Sequence, residues 1–148
     1  MCIRDSYRPL GDKYTKWRNN LTEYDIQGFK QLPKKGDILF ITKSLKDVMC
    51  LYEMGIPAIS PSSESTFIPD DILEDLKKRF KRIIILFDRD AAGVKYSRKV
   101  SLKTGLEACF IPKYLNAKDV SDAVKLNNFE VVKKEIEKIV NKQYKHAL

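Results

Sequence analysis

The sequence predicts an α/β domain built on a mainly parallel four-stranded sheet with helices on both faces, preceded by an irregular basic lead-in. Three observations carry that expectation. Short, mostly apolar runs at Ile38–Ile41, Ile56–Ser60, Ile83–Phe87 and Glu107–Ile111 alternate with segments of helical period, joined by short links. The run Ile83-Ile84-Ile85-Leu86-Phe87 is apolar throughout, as a strand buried on both faces must be. It ends abruptly in Asp88-Arg89-Asp90, and the small residues Ala91-Ala92-Gly93 follow where a helix can begin. Ligands of open α/β sheets bind at that carboxyl edge.

Along the chain, Met1 to Ser6 lack periodicity or capping logic and read as a ragged or artefactual start. Tyr7 to Lys35 is polar, basic and aromatic, punctuated by Gly11, Gly28 and Pro33, which predicts an irregular or hairpin-like segment. After the first strand, Ser44 with Asp47 three positions later forms a capping-box-like start, and a helix is expected from about Leu45 to Met54, stopping at Gly55. Leu45, Val48, Met49 and Tyr52 would share one face of it. The second strand, Ile56–Ser60, is expected despite Pro57, with the polar loop Pro61-Ser62-Ser63-Glu64-Ser65 after it. Pro69 and Asp70 open the next helix, with Ile72, Leu73, Leu76 and Phe80 as its buried stripe. A third helix runs from Ala91 to about Thr104 with Gly105 as its stop, and the fourth strand ends before Pro112. Asp119–Leu126 and Phe129–Lys142 are helical, the latter turning Phe129, Val132, Ile136, Ile139 and Val140 one way. The expected division is a lead-in (1–35), an α/β unit (36–127) and a C-terminal helix and tail (128–148).

A length of 148 residues suits one domain, and the excess of 28 Lys and Arg over 20 Asp and Glu gives a net charge of +8. An anionic partner follows, nucleic acid before an acidic membrane surface. No apolar stretch approaches the roughly 20 residues of a membrane span, and no signal-peptide core opens the chain, so a soluble, intracellular protein is expected. Cys2, Cys50 and Cys109 are odd in number and widely spaced, which supports neither a disulfide framework nor a zinc site. The single histidine, His146, lies in the tail and anchors no triad.

In a parallel sheet the carboxyl ends of neighbouring strands share one edge, so Thr42-Lys43-Ser44, the loop around Glu64, and Asp88-Arg89-Asp90 are expected to meet. The two acids have a structural use, Asp88 capping the next helix and Asp90 complementing its positive end. They also have a chemical one. Two ionised acids at one strand end repel, and a divalent cation offsets that cost; Mg²⁺ takes hard oxygen ligands and bridges carboxylates to phosphates. Asp119 reads either as a helix cap or as a further metal-proximal acid, and Lys118 as a phosphate contact or a solvated lysine. Lys13, Tyr14, Lys16, Trp17 and Arg18 interleave cations with aromatics, the pattern that suits single-stranded nucleic acid. Packing of Trp17 on the domain is an equal alternative. The cations at 77–82 are explained by a helix end.

The strand and turn FDRDAAG (Phe87 to Gly93) resembles the DxD motif of the Toprim domain, the fold shared by DnaG-type primases, type IA and type II topoisomerases and OLD-family nucleases. The AAG after it, the turn Asn116-Ala117-Lys118-Asp119, the segment ITKSLKDVMCLYEMGIPAI (Ile41 to Ile59) and the lead-in Lys16-Trp17-Arg18-Asn19-Asn20 are most similar to the primase branch, including phage primases and primase-helicases. The resemblance covers about Gly36 to Leu126. It implies nucleotidyl transfer, the making of RNA primers on single-stranded DNA from nucleoside triphosphates, with Mg²⁺ or Mn²⁺ held by Asp88 and Asp90, a replicative helicase as a further partner, and a cytoplasmic location (the host's, if phage-encoded). On this resemblance the lead-in ends the primase N-terminal subdomain, with Lys16, Trp17, Arg18, Lys43 and Lys118 toward phosphate or template.

One position departs from the family. Toprim enzymes generally carry a glutamate just after the first strand, and this chain has Lys43, whose ammonium has donors only and cannot ligate a metal. Either Lys43 contacts phosphate while Glu64 restores the carboxylate in space, as metal ligand and catalytic residue, or the domain only binds nucleic acid. Phosphodiester cleavage by the same metal site is the other enzymatic alternative; a topoisomerase would also need a nucleophilic tyrosine from another domain.

Overall fold

The computed structural model describes residues 5–8, 10–12, 14–15, 17–62 and 67–142, with backbone alone for 5–7 and 17–19. Its sheet is built from β3 (Gly36–Ile41), β4 (Ala58–Ile59), β5 (Phe80–Leu86) and β6 (Glu107–Cys109), in the order β4-β3-β5-β6 with every pairing parallel. Two short strands precede it, β1 (Asp5–Tyr7) and β2 (Trp17–Asn19), paired antiparallel. The lead-in thus opens on a short antiparallel ladder, the hairpin-like alternative of the sequence expectation. Asp5 and Ser6 pair with Asn19 and Arg18 although they were read as part of a ragged start, because a three-residue ladder needs no visible periodicity.

The central strands alternate sides. Phe40, Ile84 and Leu86 face a core shared with α1 (Leu45–Glu53), α4 (Val120–Leu126) and α5 (Phe129–Asn141), through Val48, Leu51, Val120, Ala123, Val132 and Ile136. Leu39, Ile41, Ile83, Ile85 and Phe87 face the other way, toward Leu73 and Leu76 of α2 (Asp70–Arg79) and the half-buried Tyr96 and Val100 of α3 (Ala91–Thr104). Helices thus cover both faces, as the apolar character of β3 and β5 requires. The C-terminal helix α5 packs on the same core as α1 and α4.

Four local expectations are corrected. β4 has two residues, not five, because Pro57 cannot donate to a ladder and the Ile56 N–H turns back to the Leu51 carbonyl. The β6 ladder likewise stops at Cys109, short of the expected Ile111. β5 begins at Phe80, three residues early, with α2 ending at Arg79 and no linker between them. On α1 the buried residues are Asp47, Val48 and Leu51, whereas Leu45, Met49 and Tyr52 are exposed. The helix is rotated so that an acid, not a methionine, faces inward. The basic cluster at 77–82 is paired at Lys77–Glu74, Arg79–Asp75, Lys81–Asp37 and Arg82–Glu107, consistent with a structural use.

Candidate metal centre

Three segments reach the carboxyl edge of the sheet. After β3, the Thr42 hydroxyl is buried and lies 3.3 Å from the Ile59 and Ser44 carbonyls as a donor. Ser44 caps α1: its Oγ accepts from the Asp47 N–H at 3.3 Å and donates to Asp47 Oδ2 at 2.7 Å. Half of the expected capping box forms, with Asp47 bonded back to the Ser44 hydroxyl, yet capping does not exhaust Asp47. Its Oδ1 accepts from the Ser121 N–H at 2.9 Å, in the first turn of α4, and the residue is 2% exposed. One carboxylate is thus fixed between the amino ends of two helices, whose partial positive charge favours it.

The end of β5 supplies the second segment. α3 starts so close to it that a Cβ on Gly93 would lie 2.1 Å from the Asp88 carbonyl oxygen, so this position must be glycine. Asp90 caps α3, accepting from the Gly93 N–H at 2.7 Å, and is exposed. That bond above all, with Lys43 and Lys118 behind it, holds its carboxyl below the usual range against a little desolvation. Between the acids, Arg89 faces the other way: its N–H donates to the Lys118 carbonyl at 2.7 Å, its Nε donates to the Ile111 carbonyl at 2.6 Å, and its guanidinium lies 5.6 Å from the Phe110 ring centre. These contacts fasten the loop after β6 to the end of β5. They set where the third segment enters, with Asp119 capping α4 by accepting from the Asp122 N–H at 2.7 Å and the Ser121 hydroxyl at 2.9 Å.

Asp47, Asp88 and Asp119 each bring one carboxylate oxygen within 4.8 Å of the others. Lys43 stands beside them, its Nζ 3.9 Å from Asp88 Oδ2. The Asp88 carboxyl is pushed up to about 6, first by burial; Lys43 opposes the rise, while Asp119, Asp47 and Asp90 add to it. Asp47 is also raised, first by burial, against its bonds to Ser44 and Ser121. Three acids and one ammonium leave a negative balance in a mostly dry place. Oxygen donors of that charge fit a hard divalent ion such as Mg²⁺ or Mn²⁺.

Of the residues expected from sequence, Asp88, Lys43 and Asp119 lie together here. Asp90, expected to hold metal beside Asp88, is not one of the three gathered acids; its carboxylate is engaged in the α3 cap. Lys118 is exposed at the rim. Trp17 and Arg18 lie in β2, described in backbone only, and Glu64, Lys13 and Lys16 lie outside the described residues. Asp47 was missed as a site residue. Its burial beside Val48 and Leu51 emerges only with the rotation of α1 and the contact to Ser121, so the sequence offered it as a capping residue alone.

No curated protein sequence matches the chain. Among solved structures, a DnaG primase catalytic domain bound to single-stranded DNA superposes with a TM-score of 0.62 at 19% identity, covering 86% of this chain and 44% of that one. The primase fragment of the bacteriophage T7 primase-helicase protein gives 0.61 at 21% identity, covering 83% of this chain and 50% of that one. The chain therefore spans about half the length of these two solved chains, and the likeness is one of fold. The Toprim-like family model matches residues 40–124, more than half of the chain, a stretch that contains Asp47, Asp88 and Asp119. On that match, and with the parallel sheet and gathered acids already described, the chain belongs to the Toprim-like family.

Proposed function

We propose that this chain is the metal-binding catalytic part of a DNA primase, carrying out nucleotidyl transfer on a single-stranded DNA template. The observation that supports it is the convergence of Asp47, Asp88 and Asp119 from three separate segments onto one sheet edge, in a fold shared with primase catalytic domains. In the reaction, a primer 3′ hydroxyl attacks the α-phosphorus of an incoming nucleoside triphosphate and pyrophosphate leaves. A divalent ion, when bound, neutralises phosphate oxygens and lowers the pKa of the attacking hydroxyl. Asp47, Asp88 and Asp119 would hold it, and Asp90 adds negative charge at the rim. The bonds from Ser44 and Ser121 keep Asp47 oriented, and Arg89 keeps the Asp119 loop in place, so the site reorganises little during reaction. Lys43 and Lys118 face the phosphates, while Lys16, Trp17, Arg18 and the charge of +8 favour the template strand. Glu64 stands in this reading as a further acid from the neighbouring loop.

The test is template-dependent primer synthesis by the full-length parent with Mg²⁺ and with EDTA, beside a strand-cleavage assay. Synthesis without cleavage, abolished by Asp88→Asn and Asp119→Asn, is the expected result. Unchanged synthesis in those variants would sink the metal assignment. Cleavage without synthesis would favour a nuclease, and DNA binding with neither activity a binding module, the reading that Lys43 specifically supports.

A further inference from the structure

We infer that Lys43 is a built-in cation that takes the place of a second metal ion, so that this centre holds a single divalent ion. The inference rests on the metal-site reading above and deepens it. Its basis is the charge layout around Asp88. Asp47 and Asp119 each bring a carboxylate oxygen within 4.8 Å of one on Asp88, and Lys43 Nζ lies 3.9 Å from Asp88 Oδ2.

The sheet itself sets that position. Ile41 of β3 pairs with Ile85 of β5, and Lys43 and Asp88 follow two and three residues beyond that pair, so their side chains leave adjacent strands at the same edge. The Lys43 side chain is 11% exposed and that of Asp88 13%. A lysine so enclosed has its stem packed and its ammonium committed to the site. Ions of two-metal centres lie roughly 3.5–4 Å apart and clamp both the attacking and the leaving oxygen. Here an ammonium already flanks Asp88, and it offers no lone pair to a metal. A second divalent ion placed beside it would meet a like charge at short range in a poorly solvated pocket. Lys43 also carries donors that a phosphate oxygen accepts, so it supplies part of a second ion's charge without being exchangeable.

Mn²⁺ titration of the full chain at neutral pH, followed by equilibrium dialysis and electron paramagnetic resonance, tests this. Site occupancy is taken as the number of ions lost on Asp88→Asn. The expected count is one for the wild type and two for Lys43→Glu, the latter with the signal of a spin-coupled pair. Lys43→Met, which keeps the bulk of the stem, should bind its single ion at least roughly tenfold more tightly, because it removes a positive charge from beside a divalent ion, an effect of about that size even in a water-like dielectric and larger in an enclosed site. Two ions in the wild type would overturn the inference while leaving the metal centre standing. So would Lys43→Glu remaining at one, or an unchanged affinity in Lys43→Met. A count of zero in the wild type would overturn the metal reading beneath it.

Discussion

Asp88 is deprived of solvation: burial first, then three neighbouring acids, raise it to about 6, while Lys43 eases its ionisation. A carboxyl whose folded pKa lies above its unfolded value costs stability when ionised. The cost is absent below about pH 4 and complete above about pH 6. Without divalent metal, stability should therefore rise as pH falls from 7 to 5, and Asp47, raised in the same direction, adds to the slope. Asp88→Asn should flatten that slope and stabilise the metal-free protein at neutral pH by on the order of 1–3 kcal/mol, read as a higher melting temperature, while abolishing metal binding. A pH series of thermal melts in EDTA checks it; a lower melting temperature would contradict it. Gly93 is constrained in a simpler way. Gly93→Ala puts a methyl group against the Asp88 carbonyl, and a loss of roughly 1–3 kcal/mol in denaturant melts is expected, with weakened metal binding.

At the scale of elements, α3 shows how one acid can serve two ends. Asp90 caps the helix, and that role can be separated from any contribution to the metal. Asp90→Ala should cost about 1 kcal/mol, whereas Asp90→Asn, also a good cap, should cost little. If Asp90→Asn also leaves Mn²⁺ affinity unchanged, the residue works through the helix alone. Helix α1 shows what sequence could and could not reveal. Its limits were legible, because Ser44, Asp47 and Gly55 are local signals. Its rotation was not, since Leu45, Met49 and Tyr52 offered an apolar stripe as plausible as the true one. What decides between them is Asp47, whose partner Ser121 lies 74 residues away and leaves no trace in a local pattern. Asp88 was legible for the opposite reason: a wholly apolar strand that stops in an acid announces both the sheet and its edge.

For the whole molecule, binding of a divalent ion should oppose the charge of the three acids and stabilise the fold. By mass action the gain is about 2.7 kcal/mol at a hundredfold excess over Kd, and it should shrink as pH falls below 6, because protons compete for Asp88. Melts with and without Mn²⁺ at about pH 7.5 and about pH 5, on either side of that pKa, should show a large shift at the higher pH and a small one at the lower. An equal shift at both would place the ion elsewhere. The junction where α2 passes into β5 without a linker has a further consequence. From Ile83 onward β5 is apolar on both sides, so those residues do not themselves distinguish one phase from the other; within the strand the phase is marked by Arg82, bonded to Glu107 and to the Val140 and Lys142 carbonyls. A single alanine inserted between Arg79 and Phe80 would exchange its two faces and still bury apolar side chains on each. The expected product has a native-like circular dichroism spectrum but no Mn²⁺ binding, since Asp88 would leave the pleat that aims it at Asp47. The length of that junction, together with the anchored Arg82, is thus the instruction that tells a strand with two apolar faces where to deliver its charge.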